Sequence, residues 1–290
     1  MKTIYLLALV AGLAGCHAKR AAPAGRAWRD PAGRMIHLPS EVRRVVSLAP
    51  STTELLCAVG GCGLLVGVDR YSNYPPEVKK LPHVGADIDP SLEKILALKP
   101  DVVLAAATAN AEATMTSLER AGIPVVGCLD QRIDDVYADL IGVGDAIGHR
   151  ADGEKAAASL RAALDGVKAA PGDAGVGARV LVVVWPEPLV VAGRTSLVAE
   201  LVRWVGGVNI ADDSARAFPT YSRERMLEAA PEVLIVGTHA DGAPPMAALQ
   251  KLGIPAVRNH RVHLVDGDIL FRPGPRLGEA ATLLAKLLHP

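Results

Sequence analysis

From residue 45 onward, short apolar runs recur along the chain, and between them the apolar positions fall at helical spacing. The runs at 45–48, 65–68, 102–106, 125–128, 179–184, 233–236 and 262–265 are rich in Val, Leu and Ala and show no polar alternation, the pattern of strands covered on both faces. Helices are expected from Pro50 to the Gly60-Gly61 stop and over 91–98, 111–121, 133–147, 150–169, 196–205, 245–252 and 276–288. Ser51 followed three residues later by Glu54 reads as a capping box, and Ser91 as an N-cap. Gly122-Ile123-Pro124 and its later counterpart Gly253-Ile254-Pro255 punctuate helix-to-strand passages. This alternation predicts an α/β fold of two Rossmann-like lobes with central parallel sheets. The lobes are expected over 41–149 and 171–290, joined by one long linking helix over 150–170. Ligands of such sheets sit beyond the C-terminal ends of the strands, so a ligand cleft is expected between the lobes.

The first residues follow a different pattern. Lys2 precedes an apolar run over 4–14 that ends in Leu13-Ala14-Gly15-Cys16. A run that short, closed by small residues before a Cys, predicts a lipoprotein signal peptide over 1–16 with lipidation at Cys16 and a location outside the cytoplasmic membrane. The Ala-, Pro- and Gly-rich stretch over 17–40 is expected to be a tether and lead-in segment. Export also permits disulfides: Cys57 and Cys62 are close enough in sequence to pair, and buried free thiols are the other reading.

Charge and composition narrow the chemistry. Lys plus Arg equals Asp plus Glu at 31 each, which excludes the basic footprint of a nucleic-acid binder. No nucleophile elbow or dinucleotide loop is present, and Gly142-Val143-Gly144-Asp145-Ala146-Ile147-Gly148 reads as close helix packing. His260 and His263, in a turn leading to a strand, are not placed as a metal pair, while His83 and His239 lie in or near loops that could face a cleft. Asp134-Asp135 and Asp212-Asp213 are explained by helix starts and polar loops. No catalytic residue, metal site or resident cofactor is therefore expected. The aromatic residues are few, and Tyr71, Tyr74, Trp185, Phe218, Tyr221 and Phe271 all fall in loops after strands. With a core built from Val, Leu, Ala and Ile, they predict an apolar, ring-lined cleft.

Three stretches carry a family resemblance: RDPAGRMIHLPSEVRRVVSLAPSTTELL, GVDRYSNYPPEVKKLPHVGADIDPSLEKILALKPDVVLA and FPTYSRERMLEAAPEVLIV. They resemble the class III periplasmic binding proteins, which serve ABC importers of cobalamin, haem and ferric siderophores. The resemblance implies a monomeric, non-enzymatic binding protein whose partners are a permease–ATPase complex, a small-molecule ligand and, through its lipid, a membrane. YSNYPP is similar to a loop of the cobalamin-binding branch in which the second Tyr packs on the corrin, the position of Tyr74 here. That branch also implies cleft roles for Phe218 and Arg272, beside Tyr71, Tyr221 and Trp185. Glu93 in SLEKI and Glu224 in SRERM match the acids that dock each lobe on the permease. The sequence departs from that branch at Asp87, Ala106 and Val190, where aromatic residues are missing, and at Phe271, which replaces an acid. Val84-Gly85-Ala86-Asp87-Ile88 lacks the axial Tyr of the haem branch. The implied ligand is a corrinoid. A ferric chelate is the alternative, and Arg70, Arg194, Arg216, Arg223 and Arg272 are the cations that would favour it.

Overall fold

A computed structural model of the chain describes residues 25–107, 112–129, 131–169, 177–238 and 253–289. It opens with an antiparallel hairpin of β1 (Gly25–Arg29) and β2 (Met35–Pro39). The first lobe follows in the order β3 (Val45–Ser47), α1 (Pro50–Ala58), β4 (Leu65–Val68), α2 (Leu92–Ala97), β5 (Val102–Ala106), α3 (Glu112–Arg120) and β6 (Val125–Cys128). Two packed helices, α4 (Ile133–Ala146) and α5 (Arg150–Asp165), lead to the second lobe. That lobe holds β7 (Arg179–Pro186), β8 (Leu189–Val191), α6 (Leu197–Trp204), β9 (Val208–Asn209), α7 (Arg223–Ala229) and β10 (Val233–Thr238). After it come α8 (Pro255–Arg258), β11 (Val262–Asp266), α9 (Gly267–Leu270) and the closing helix α10 (Leu277–Leu288).

The two sheets are built on one plan. In the first, the order is β4-β3-β5-β6, with every pairing parallel. In the second, β9, β7, β10 and β11 repeat that order in parallel, and β8 is an additional antiparallel strand along the far end of β7. The strands β3, β5, β6 and β10 are buried almost throughout because helices cover both faces, which is why their sequences read as apolar runs, whereas β11 at the sheet edge is partly exposed. The antiparallel β8 is an addition to the central parallel sheet that the sequence predicts. Pro186 and Pro188 around Glu187 turn the chain back at once, so β7 runs past the predicted end at 184.

Three further expectations are corrected. Residues 25–39 are not part of a tether: Trp28 is buried, its Nε1–H donates to Asp145 Oδ2 at 2.6 Å, and the Asp30 carboxylate accepts from the Gly127 and Arg34 amides. Nor do Ser51 and Glu54 form a capping box. The N-cap of α1 is Ala49, with Pro50 in the first turn and no side-chain cap, which frees Glu54 for another partner. The linking helix α5 ends at Asp165, short of the expected 170, and packs between α4 and α10. The glycines of α4 act as expected. A Cβ on Gly144 would stand 2.8 Å from the His149 carbonyl oxygen, and one on Gly142 would stand 2.5 Å from Pro31 Cγ. Cys57 and Cys62 are paired in a disulfide that ties the end of α1 to the turn behind it, and Cys128 is buried and not disulfide-bonded. No helix among the described residues is long and apolar enough to cross a membrane.

Candidate functional site

The C-terminal ends of both parallel sheets open on one cleft of about 590 Å³. On the first lobe it is lined by Ala49, Pro50 and Ser51 at the turn from β3 into α1, Asp87, Ala106 at the tip of β5, and Gln131 beyond β6. On the second it is lined by Thr195, Ser196, Leu197 and Val198 at the start of α6, by Ala217 and Phe218, and by Phe271, Arg272 and Pro273. Small residues at the helix starts keep the floor open. Phe218, 52% exposed, and Phe271 supply the rings. The Phe271 ring lies over Gly237 near the end of β10, where a Cβ would approach Phe271 Cε2 to 2.2 Å. A cavity of this size and mostly apolar lining suits a small organic ligand held by contact.

Beneath the cleft a polar network joins the lobes. Glu54 of α1, with 1% of its side chain exposed, accepts from Arg272 Nη1 at 3.0 Å and from Arg276 Nη2 and Nε at 2.6 and 2.8 Å. Arg272 also donates to Asn73 Oδ1 at 2.7 Å, to the Tyr71 carbonyl at 3.3 Å and to Asp268 Oδ1 at 2.7 Å. Asn73 Nδ2 completes the ring to Asp268 at 2.6 Å. The carboxylate holds the Arg276 guanidinium above its ordinary pKa. Under α1 a chain of buried hydroxyls, Ser47, Thr52, Thr53 and Ser72, runs to Asp69, which also accepts from the Tyr71 amide at 2.7 Å. These bonds fix the 69–74 loop against the first helix. Burial pushes the Asp69 carboxyl above its ordinary value, and the Ser72 and Tyr71 hydrogen bonds only partly offset this.

The sequence-expected residues are distributed unevenly over this site. Phe218 and Arg272 line the cleft. Arg272 is not a cation held ready for a ligand, however: its guanidinium is committed to Glu54, Asn73 and Asp268. Tyr71 and Tyr74 are half-exposed in the loop beside the network, outside the cleft wall, and the Tyr74 ring lies 4.3 Å from the Arg276 guanidinium carbon. Trp185, exposed at the β7–β8 turn, donates from Nε1 to the Glu187 carbonyl at 2.9 Å and also lies outside the lining. Tyr221 is a correction. It is 4% exposed, its hydroxyl donates to Asp213 at 2.7 Å, and it shares a groove with Arg179 and Val208, where β7 and β9 begin. It therefore faces the end of the sheet away from the cleft. Burial and the Asp213 bond push its phenol up to about 12.

Among the described residues, the histidines stay apart from the cleft lining. His83 is exposed, His260 stands in a left-handed turn, and His263 is partly buried with its Nε2 unpartnered; burial and then the Arg261 charge lower its pKa. Among the described residues no group of three His, Cys, Asp or Glu is placed to hold a metal. His239 and Cys16 lie outside the described residues. Glu93 and Glu224 are exposed in the first turns of α2 and α7, and among the described residues neither forms an ion pair. Hydrogen bonds from its own backbone amide and from Ser222 hold the Glu224 carboxyl below its usual range. Sequence reading missed Glu54, Asn73, Asp268 and Arg276. The apparent capping box absorbed Glu54, and nothing in the spacing announces a partner more than two hundred residues away.

Comparisons with known proteins agree with this geometry. The model of the periplasmic binding protein family matches residues 45–269. A vitamin B12-binding protein of Pectobacterium carotovorum is 32% identical over 252 residues, 85% of this chain and 88% of its own length. The ABC transporter substrate-binding lipoprotein YvrC of Bacillus subtilis is 31% identical over 271 residues, 90% of this chain and 84% of its own. Among solved structures, the periplasmic vitamin B12-binding protein BtuF of Vibrio cholerae superposes with a TM-score of 0.75 at 28% identity, covering 85% of this chain and 96% of that one. The haem-binding protein RhuT of Roseiflexus sp. RS-1 superposes at 0.76 with 30% identity, covering 85% and 97%.

Proposed function

Because the chain belongs to the periplasmic binding protein family and is an ABC-transporter substrate-binding protein, we propose that its cargo is a corrinoid, held between the lobes and passed to a permease. The observation that carries this reading is the charge of the cleft. Its lining is mostly apolar, with the Phe218 and Phe271 rings, and its one cation among the described lining residues, Arg272, is already neutralised by Glu54 and Asp268. An anionic ferric chelate or a haem with two carboxylates would enter without a free counter-charge, at a desolvation cost. A corrinoid, broad and close to neutral, meets apolar walls and a few hydroxyl and amide groups, Ser51, Thr195 and Gln131 among them. The name of the Pectobacterium relative supports the same ligand. Tyr71 and Tyr74, half-exposed beside Arg272 and Arg276, would extend the contact surface for a ligand larger than the cavity.

Lipidation at Cys16 would hold the protein at a membrane surface, in keeping with the lipoprotein name of the Bacillus relative. Glu93 and Glu224, one on each lobe, would set its register on the permease. The test is calorimetry with cyanocobalamin, dicyanocobinamide, haemin and a ferric hydroxamate chelate. Binding of a corrinoid at micromolar concentration or below, with no heat from haemin or the chelate, is the expected result. The reverse pattern sinks the assignment. Phe218→Ala is expected to weaken corrinoid binding about tenfold, the scale of a lost aromatic contact.

A further inference from the structure

The two lobes carry a local repeat that the core does not explain. Ser91-Leu92-Glu93-Lys94-Ile95-Leu96 in the first lobe and Ser222-Arg223-Glu224-Arg225-Met226-Leu227 in the second occupy the same place in the shared topology. Each segment feeds the strand that pairs with the first strand of its sheet, β5 on β3 and β10 on β7. The correspondence is close in three dimensions. The Ser91 and Ser222 hydroxyls cap their helices on the Lys94 and Arg225 amides. Lys99 and Ala230 both close the helix with a positive φ, 48° and 44°. Asp101 accepts from the Arg43 and Arg44 amides ahead of β3, and Glu232 accepts from the Arg179 amide opening β7.

Within this repeat Ile95 and Met226 are fully buried, so packing accounts for them. Leu96 and Leu227, the next position, are turned outward, 40% and 46% exposed. A single exposed leucine needs no explanation. Here, however, two of the three exposed leucines among the described residues fall at one repeat position, three residues after an exposed, unpaired carboxylate. Residues three apart on a helix share a face, so each lobe presents an acid and an apolar side chain together.

We propose that Leu96 and Leu227 are the apolar half of a two-pronged docking surface. Its occupant is a twofold-symmetric permease that offers, on each subunit, an apolar recess beside a basic group. Charge complementarity argues for the basic group, since Glu93 and Glu224 are exposed and neither forms an ion pair among the described residues, Arg223 acting on Glu224 only through its nearby charge. The duplication argues for the symmetry: two equivalent prongs engage most simply the two equivalent surfaces of a dimer. The division of labour is physical. The carboxylates act at long range and set the encounter rate, whereas the leucines act only on contact and set how long the complex lasts.

This inference rests on the importer reading, and the experiment separates the two. The permease–ATPase complex that copurifies with the wild-type chain is placed in lipid nanodiscs, and binding of variants is followed by surface plasmon resonance at several salt concentrations. Leu96→Ser with Leu227→Ser is expected to weaken binding roughly tenfold or more, almost wholly through faster dissociation, with an unchanged salt dependence. Glu93→Ala with Glu224→Ala is expected to slow association and flatten the salt dependence. Leu96→Met with Leu227→Met should bind as wild type does, and so should Leu264→Ser, which alters the third exposed leucine. Unfolding midpoints and corrinoid affinity serve as controls for intact folding. If the double serine variant binds normally while the double alanine variant fails, the leucine proposal is wrong and docking by the acids stands. The proposal also falls if Leu264→Ser weakens binding as much. If neither double variant changes binding, or no permease complex is recovered with the wild-type chain, the docking reading fails and the leucine proposal with it.

Discussion

At the residue scale, Asp69 couples the cleft floor to pH. Its folded-state pKa is raised above the ordinary value of 3.8, chiefly by burial. A raised carboxyl binds protons more tightly in the folded state, so its contribution to stability falls as pH climbs from 3.8 through the raised value. Replacing Asp69 with Asn removes that loss while keeping an acceptor for the Tyr71 amide. The stability of Asp69→Asn relative to wild type should therefore increase with pH across that window, read as urea midpoints at successive pH values. A second outcome concerns Tyr221, which lies at the far end of the sheet: Tyr221→Phe should leave corrinoid affinity unchanged in calorimetry. Its case shows what a ring in a loop does not disclose. Phe218 and Tyr221 are three residues apart in one segment, and both read as cleft residues, yet Asp213 draws the tyrosine hydroxyl to the opposite side. Only the position of that distant carboxylate separates them.

Elements were legible where local chemistry decides them. Ser91 and Ser196 cap their helices through side-chain oxygens, at the starts the sequence suggests, and the buried strands follow their apolar runs. Legibility ended where a long-range partner decides. The first turn of α1 has the spelling of a capping box, but Pro50 takes the first-turn place and Glu54 turns to two arginines of the other lobe. The short β8 was hidden directly after two prolines, and the 25–39 hairpin was hidden by composition that resembles a tether, although Trp28 and Asp30 anchor it. The Cys57–Cys62 disulfide closes a very short loop at the end of α1. Chain-entropy reasoning for so small a loop gives a stabilisation of about 2 kcal/mol. Cys57→Ala with Cys62→Ala should lower unfolding stability by that order, measured by urea denaturation, and leave ligand binding intact.

At the scale of the whole molecule, two copies of one sheet plan face each other, and the Glu54 network bolts them together below the cleft. Removing one member of a buried ion cluster leaves the others uncompensated, a loss of about 3–5 kcal/mol. Glu54→Ala should show that loss in calorimetric unfolding. Phe218→Ala, which touches only the cleft wall, should not. The cleft itself could be anticipated from strand order, because the C-terminal ends of two parallel sheets leave few other places for a ligand. Which side chains join the lobes could not, since the joining atoms belong to segments at opposite ends of the sequence.

That bolt bears on how cargo leaves. Swinging the lobes wide would part the buried Glu54 carboxylate from the Arg272 and Arg276 guanidinium groups of the other lobe, so thermal motion alone will rarely spread the jaws. Unloading then becomes the work of the receiving machine, which must either prise the hinge side apart or reach between the lips and displace the passenger where it sits.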